Sequence, residues 1–243
     1  MTIPDQRHLF DIPGDISYLN CASYSPLLRA TVAAGEMGLA RKAHPWGPIF
    51  PDAEAEVEQA RGLFAGLIGA TADDVAVVPS TSYGIATAAA NRSASAGQDI
   101  VVLEQQFPSN YHPWRQLAAD TGAGLTHVPR PADGDWTAAI LERITPDAAI
   151  VALPPCHWTD GSRIDLAPIG VRCREIGAAF VIDATQYVGA APPDVAELQP
   201  DFLACSAYKW LLCPYTLAFP FAPPPPPPGR PLDLPTHPPG PHP

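Results

Sequence analysis

The chain has 243 residues, with 14 Lys and Arg against 25 Asp and Glu, and a formal net charge of −11 at pH 7. That charge argues against nucleic-acid binding and against attachment to an anionic membrane surface. A hydrophobic content of 47% supports a packed core over most of the length. The start of the sequence lacks a signal-peptide layout and no apolar run is long enough to span a membrane. With five scattered cysteines and no C-x-x-C pair, we expect a cytoplasmic protein with reduced thiols.

Three regions follow one another along the chain. Residues 1–25 are predicted to form an irregular N-terminal arm, and residues 26–220 one large domain. Residues 221–243 are rich in proline, which fixes φ and removes backbone donors, so we expect a disordered or polyproline II tail there. Two further interpretations of the tail stay open, namely a ligand for SH3-type grooves and a frame-shifted end.

Within the large domain, predicted helices and strands alternate. The predicted helices cover residues 26–42, 51–68, 82–93, 114–120, 135–144 and 165–176. The predicted strands cover residues 74–78, 100–103, 124–128, 148–153 and 179–183, and a further strand is expected near 215–219. This alternation predicts an α/β fold with a mostly parallel sheet covered by helices on both faces. Ligands bind outside the carboxyl ends of the strands in such sheets, so the residues after each strand are the functional candidates.

Two candidate motifs follow the first two strands. The hydroxyl-rich turn Ser80-Thr81-Ser82 opens a helix, and hydroxyls beside the free N–H groups of a helix start form an anion site. Alternatively, one of these hydroxyls simply caps the helix. Phe107 is placed to stack on a planar ligand, unless it packs in the core. The absence of G-x-G-x-x-G and Walker sequences disfavours dinucleotide and P-loop sites.

Two charged candidates belong to later apolar segments. Asp183, followed by Gln186, ends a buried strand, where its carboxylate needs a partner such as a protonated ring nitrogen, a helix start or a neighbouring loop. Lys209 is one of only two lysines and has Ser206 beside it in an apolar run. Because burial disfavours the ammonium form, we expect a lowered pKa and a nucleophilic amine at Lys209. The alternative is a lysine that reaches out to water.

A single ligand, pyridoxal 5'-phosphate (PLP), uses all of these strand ends. It needs an anion site, a flat partner for its ring, an anion for its ring nitrogen and a lysine for a Schiff base. The motifs resemble those of the class V aminotransferase family of fold type I PLP enzymes, which includes cysteine desulfurase-like, kynureninase-like and isopenicillin-N-epimerase-like members. The resemblance covers roughly residues 15–219. It rests on the combination of Ser80-Thr81-Ser82, Phe107-Pro108-Ser109-Asn110 with Pro113-Trp114, Asp183-Ala184-Thr185-Gln186 and Ser206-Ala207-Tyr208-Lys209.

The resemblance implies a mostly parallel, seven-stranded sheet and a role for each strand-end residue. Lys209 would form the Schiff base and move the proton at the substrate Cα. Asp183 would keep the ring nitrogen protonated, and Gln186 would hydrogen-bond the phenolic oxygen of the cofactor.

The remaining roles concern the phosphate and the ring. Thr81, Ser82 and Ser206 would bind the phosphate. Phe107 would stack on the ring where many relatives place a histidine, which counts against a desulfurase-type mechanism. The resemblance leaves the roles of His157, Trp158 and Tyr208 unassigned.

The resemblance further implies a homodimeric, PLP-dependent transferase or lyase that acts on a small-molecule amino acid. Relatives carry a small C-terminal domain, which supplies the arginine for the substrate carboxylate and, in desulfurases, a mobile cysteine. We expect that domain, and with it most of the substrate half of the site, to be missing here, so the resemblance does not by itself imply activity. A truncated, non-catalytic pseudoenzyme or dimerisation fragment is therefore the alternative. The S-x-x-K pattern of Ser206 and Lys209 also matches serine β-lactamases, but the S-D-N and K-T-G motifs are absent.

Overall fold

A computed structural model of the chain describes residues 4–47, 50–223, 229, 230 and 232. The predicted proline-rich tail lies almost entirely outside these residues. Within the described part of the chain, no helix combines the length and the apolar character that crossing a membrane requires.

Six strands form one sheet, in the spatial order β2-β1-β3-β4-β5-β6. Neighbouring strands are parallel except for β5 and β6, which are antiparallel. This confirms the predicted α/β fold with a mostly parallel sheet. The strands are β1 Asp99–Leu103, β2 Gly124–Val128, β3 Ala148–Leu153, β4 Ala179–Asp183, β5 Phe202–Ser206 and β6 Ala218–Phe221.

The sheet of the described residues has six strands, where seven were expected. The predicted strand at residues 74–78 lies along β6 but makes only isolated bridges to it. The Ala76 N–H donates to the Pro220 carbonyl at 3.0 Å, and Pro220 has no N–H with which to return the bond. This missing donor interrupts the ladder and leaves a seventh extended segment on the edge of the sheet.

Helices cover both faces of the sheet. They are α1 Arg29–Lys42, α2 Phe50–Ile68, α3 Thr81–Ala90, α4 His112–Thr121, α5 Trp136–Arg143, α6 Ala167–Ile176 and α7 Val195–Leu198. On one face, α3 and α4 pack in a core with Ile100 and Val102 of β1. On the other face, α2, α5, α6 and α7 pack with Val101 and Leu103. Successive side chains of a strand point to opposite faces, so a continuous apolar strand such as β1 serves both cores.

Helix α1 differs from the other long helices because none of its residues is buried. The sequence predicted one apolar face for this helix, but the exposed apolar side chains Val32, Met37 and Leu39 do not share a side. At 3.6 residues per turn, Met37 lies roughly opposite Val32 and Leu39 around the helix axis.

Candidate active site

A cleft opens at the carboxyl ends of the parallel strands. It is bordered by the start of α3 and by the loops that follow β1, β3, β4 and β5. All seven candidate residues from the sequence line this cleft: Thr81, Ser82, Phe107, Asp183, Gln186, Ser206 and Lys209. Parallel strands bring their carboxyl ends to one edge of a sheet, which explains how residues so distant in sequence meet.

The hydroxyls at the start of α3 divide into a cap and a ligand-facing set. Ser80 is the N-cap, since its Oγ accepts a hydrogen bond from the Tyr83 N–H at 3.1 Å. Thr81 is therefore free to contact Ser206, with 2.6 Å between their hydroxyl oxygens. Ser82 contacts the Ser109 hydroxyl at 2.8 Å. Ser80 therefore caps the helix, while Thr81 and Ser82 face the cleft, where an anion could bind.

Lys209 is a buried amine, with 5% of its surface exposed. Burial lowers the pKa of Lys209, and nearby Asp183 and Cys205 oppose that shift. Its Nζ lies 5.3 Å from the ring centroid of Phe107 and 5.7 Å from that of Tyr208. Within the part of the chain that the structure describes, Nζ makes no hydrogen bond or salt bridge. Burial thus favours the neutral form of this amine, whereas the two aromatic rings and Asp183 favour the charged form.

Asp183 ends β4 on the floor of the cleft and is also buried. Burial raises the pKa of Asp183, while hydrogen bonds from Thr185 and the charge of Lys209 act in the opposite direction. The Thr185 N–H donates to the carboxylate at 3.1 Å. A buried carboxylate held in this way is suited to a cationic hydrogen-bond donor.

Gln186 links three parts of the structure through its side-chain amide. Its Nε2 donates to the Ala22 carbonyl in the N-terminal arm at 3.0 Å. Its Oε1 accepts from the Trp210 Nε1–H at 2.9 Å, directly after Lys209. One N–H of the amide is left for a ligand, so the predicted contact with a phenolic oxygen stays a prediction.

The two aromatic residues after β3 have different environments. Trp158 lines the cleft and meets the Phe107 ring edge-on, with 5.4 Å between the centroids. His157 is fully buried, stacks on Trp136 at 5.0 Å, and lies with Nε2 3.2 Å from the Glu104 carbonyl oxygen. His157 therefore belongs to the core, and Trp158 to the wall of the cleft.

Four described residues other than glycine have positive φ angles, and all but Gln199, which follows α7, lie around the cleft. Gln105, Leu212 and Thr216 have positive φ angles of 54°, 55° and 70°, which side chains with a Cβ rarely adopt. Thr216 lines the cleft, Gln105 precedes the lining residue Gln106, and Leu212 belongs to the loop after the lysine. Such residues persist where the surrounding structure holds them, often at binding sites.

Thr185 is the residue of this site to which the sequence assigned no role. Its hydroxyl lies 2.9 Å from that of Thr81 and accepts from the Ser206 N–H at 3.2 Å. The sequence does show a hydroxyl residue two positions after Asp183. It could not show the contact of that hydroxyl with Thr81, because the two residues are 104 positions apart. No cluster of three or more His, Cys, Asp or Glu side chains suited to a metal ion occurs among the described residues.

Gly189 allows the loop after Lys209 to lie against the segment after β4. Its φ is +103°, and a Cβ there would lie 2.3 Å from the Trp210 carbonyl oxygen. We expect Gly189→Ala to lower the free energy of unfolding by about 2 kcal/mol, because strain and a backbone clash act together. Gly161, with φ +76° and no atom within 4 Å of a built Cβ, is the matched control.

Urea unfolding followed by circular dichroism measures this difference. Gly161→Ala tests the strain alone and should cost roughly 1 kcal/mol. Equal losses in the two variants would contradict a contribution from the contact with Trp210.

Comparison with known proteins identifies the family. The family model "Aminotransferase class-V" matches residues 49–216. An uncharacterized aminotransferase of Bacillus subtilis, YcbU, is 30% identical over 167 residues, which cover 68% of this chain and 44% of YcbU. A probable cysteine desulfurase of Pyrococcus abyssi is 31% identical over 159 residues, covering 65% of this chain and 40% of that protein. The chain thus spans less than half the length of these two relatives.

A solved structure shows the same fold. A C-DES mutant with glycine covalently linked to its PLP cofactor superposes with a TM-score of 0.80 at 19% identity. The match covers 90% of this chain and 60% of that one. At this identity the superposition supports the fold, whereas the family model covers more than half of the sequence. The chain therefore belongs to the class V aminotransferase family.

Proposed function

We propose that the cleft binds PLP through Lys209 and supports transferase or lyase chemistry on an amino acid. The observation that carries this proposal is a buried amine that makes no hydrogen bond to the described residues, in one cleft with a buried carboxylate and a helix start rich in hydroxyls. The class V aminotransferase family is PLP-dependent, which supports the same cofactor here.

The chemistry of the donor set fits PLP. Thr81, Ser82 and Ser206 would hold the phosphate together with the N–H groups at the start of α3, because hydroxyls and free amides are good anion donors. Asp183 would accept a hydrogen bond from the protonated ring nitrogen, and Phe107 would stack on the ring. Each proposed partner lines the same cleft.

The roles of the protein groups follow from their environments. When bound, PLP supplies an electron sink for a bond at the substrate Cα. The lowered pKa of Lys209 leaves its Nζ free to attach the cofactor and to move a proton at Cα. The rings of Phe107 and Tyr208 lie beside this amine. Asp183 stabilises a positive charge at the ring nitrogen.

A second candidate function is cofactor binding without turnover. Lys209 is the only lysine or arginine among the described residues that line the cleft. A substrate carboxylate therefore finds no second cation there, whereas recognition of a carboxylate is usually charge-assisted. Unchanged spectra of the PLP-loaded protein on addition of the common amino acids would favour this candidate over an active enzyme.

The test of PLP binding exploits the presence of only two lysines. PLP is added to the purified protein, borohydride reduces the linkage, and mass spectrometry locates the modified peptide. We expect modification at Lys209 and not at Lys42, which is exposed in α1. Modification of Lys42 alone, or of neither lysine, would refute the proposed site.

We also propose that the chain forms a homodimer through α1. This helix has no buried residue, and its exposed apolar side chains Val32 and Leu39 lie on one side of it, about two turns apart. Sedimentation velocity should give twice the 25.7 kDa of one chain. Leu39→Asp should weaken the dimer roughly tenfold or more, because burying an apolar side chain contributes about 1.5–3 kcal/mol.

The matched control for the dimer is Val171→Asp, which changes an exposed apolar residue on α6. That variant should sediment as the wild type does. A monomeric wild type, or equal weakening by both variants, would show that α1 is not the interface.

The free cysteines of the described chain support the proposed cytoplasmic location, where thiols stay reduced. Fractionation of the source cells with an antibody against the chain would test it, and recovery outside the cytoplasmic fraction would contradict it.

A further inference from the structure

Three buried hydroxyls form a chain on the floor of the cleft. The Thr81 oxygen lies at the centre, 2.6 Å from that of Ser206 and 2.9 Å from that of Thr185. All three residues are more than nine-tenths buried. At the far end, the Ser206 N–H donates to the Thr185 hydroxyl oxygen at 3.2 Å, which closes the group into a ring.

The hydrogen atoms of this group can be counted. Three hydroxyls carry three hydrogens, and the two contacts between them use two. The Ser206 N–H occupies only one of the two acceptor positions on Thr185, so either hydroxyl can be the donor between Thr185 and Thr81. With an anion bound beside Thr81 and Ser206, the arrangement in which Thr185 donates to Thr81 is the one that leaves the third hydrogen for that anion. The hydrogen that remains then belongs to Thr81 or Ser206, which are the two hydroxyls assigned to the phosphate. Chains of hydrogen bonds also polarise one another, which strengthens the final donor.

We propose that Thr185 is a positioning residue for the phosphate group of the cofactor. Its hydroxyl orients the pair formed by Thr81 and Ser206, so that this pair presents a hydrogen to an anion. This inference rests on the proposed function, because it assumes that PLP occupies the cleft. According to this inference, the preference of the site for PLP over pyridoxal depends on Thr185, although Thr185 need not touch the phosphate.

A second route of action has to be separated from this one. Thr185 also contacts Asp183, through its main-chain N–H at 3.1 Å. An effect through Asp183 would concern the cofactor ring, which pyridoxal shares with PLP. An effect through Thr81 and Ser206 would concern the phosphate, which pyridoxal lacks. Comparing the two ligands therefore distinguishes the two routes.

The experiment measures the dissociation constants of PLP and pyridoxal by absorbance titration of the full chain. Thr185→Val removes the hydroxyl while keeping the branched shape and the main-chain N–H. We expect it to weaken PLP about tenfold, because the pair of Thr81 and Ser206 is no longer oriented to donate to the charged phosphate, and one such hydrogen bond is worth about this factor. Affinity for pyridoxal should stay within about twofold of the wild type, and Thr185→Ser should restore PLP binding.

Thr121→Val is the matched control, because the Thr121 hydroxyl donates to the Leu117 carbonyl in α4, away from the cleft. It should leave both affinities unchanged. If Thr185→Val does not fold, as judged by circular dichroism, Thr185→Ala provides the same comparison.

Two failures can be told apart. If the wild type binds neither ligand, the proposed function falls and this inference falls with it. If the wild type binds PLP but Thr185→Val weakens both ligands equally, or neither, only the role of Thr185 in phosphate recognition is overturned.

Discussion

Lys209→Ala will abolish covalent attachment of PLP. The wild type should show a visible absorbance band that borohydride removes, and the variant should show none, because an alanine has no amine to attach the cofactor. The remaining contacts to the phosphate and the ring should still allow weak, reversible binding. Absorbance spectra before and after borohydride, with the mass of the reduced protein, measure both effects.

Lys42→Ala is the control for this prediction, since it removes the only other lysine of the chain. It should keep the full band and the full mass increase. A band that survives in Lys209→Ala and disappears in Lys42→Ala would overturn the assignment of the cleft.

Asp183→Asn will weaken PLP binding at least about a hundredfold, because breaking a buried ion pair costs about 3–5 kcal/mol and each 1.4 kcal/mol is a factor of ten. Asparagine keeps the shape of the side chain but cannot carry the negative charge that would balance a protonated ring nitrogen. A fluorescence titration with PLP measures the change. Asp120→Asn is the control, because Asp120 is exposed and accepts a hydrogen bond from Gln116 in α4, outside the cleft.

Asp183→Asn, which should weaken PLP binding, should instead stabilise the fold of the cofactor-free protein. Burial raises the pKa of Asp183 above its ordinary value of 3.8, so the folded state binds this proton more tightly than the unfolded state. The stability that Asp183 contributes is present below pH 3.8 and is lost as pH rises through the folded pKa. Asp183→Asn should therefore gain stability relative to the wild type as pH rises.

Urea unfolding of the cofactor-free proteins at several pH values tests this sign. A variant that loses stability as pH rises, relative to the wild type, would show that the carboxylate stabilises the fold. Loss of affinity together with a gain in stability would instead mark Asp183 as a residue retained for binding, as functional sites commonly trade stability for activity.

The alternation of apolar runs was sufficient to predict most of the architecture. The strand at residues 148–153 and that at 179–183 agree in both bounds with β3 and β4. Long apolar runs between turn residues constrain a strand locally, so they can be recognised in one sequence. The seventh strand was misjudged because its pairing depends on Pro220, far along the chain.

The environments of individual residues were also predictable only where they depend on neighbours in the chain. The apolar surroundings of Lys209 in sequence correctly indicated burial and a lowered pKa, because its own neighbours in the chain form the buried strand β5. The apolar face predicted for α1 was wrong, since its few apolar residues are spread around the helix and none of its residues is buried.

The sequence by itself determined the fold class, the positions of the strand ends and the residue types available there. Only the tertiary structure decided that Ser80 caps α3, that His157 packs in the core, and that Thr185 joins Thr81 and Ser206. The physical reason is the range of the interactions. Periodicity and burial arise from neighbours in the chain, whereas the hydroxyl contacts join positions 104 and 125 residues apart, which only the packing of the sheet brings together.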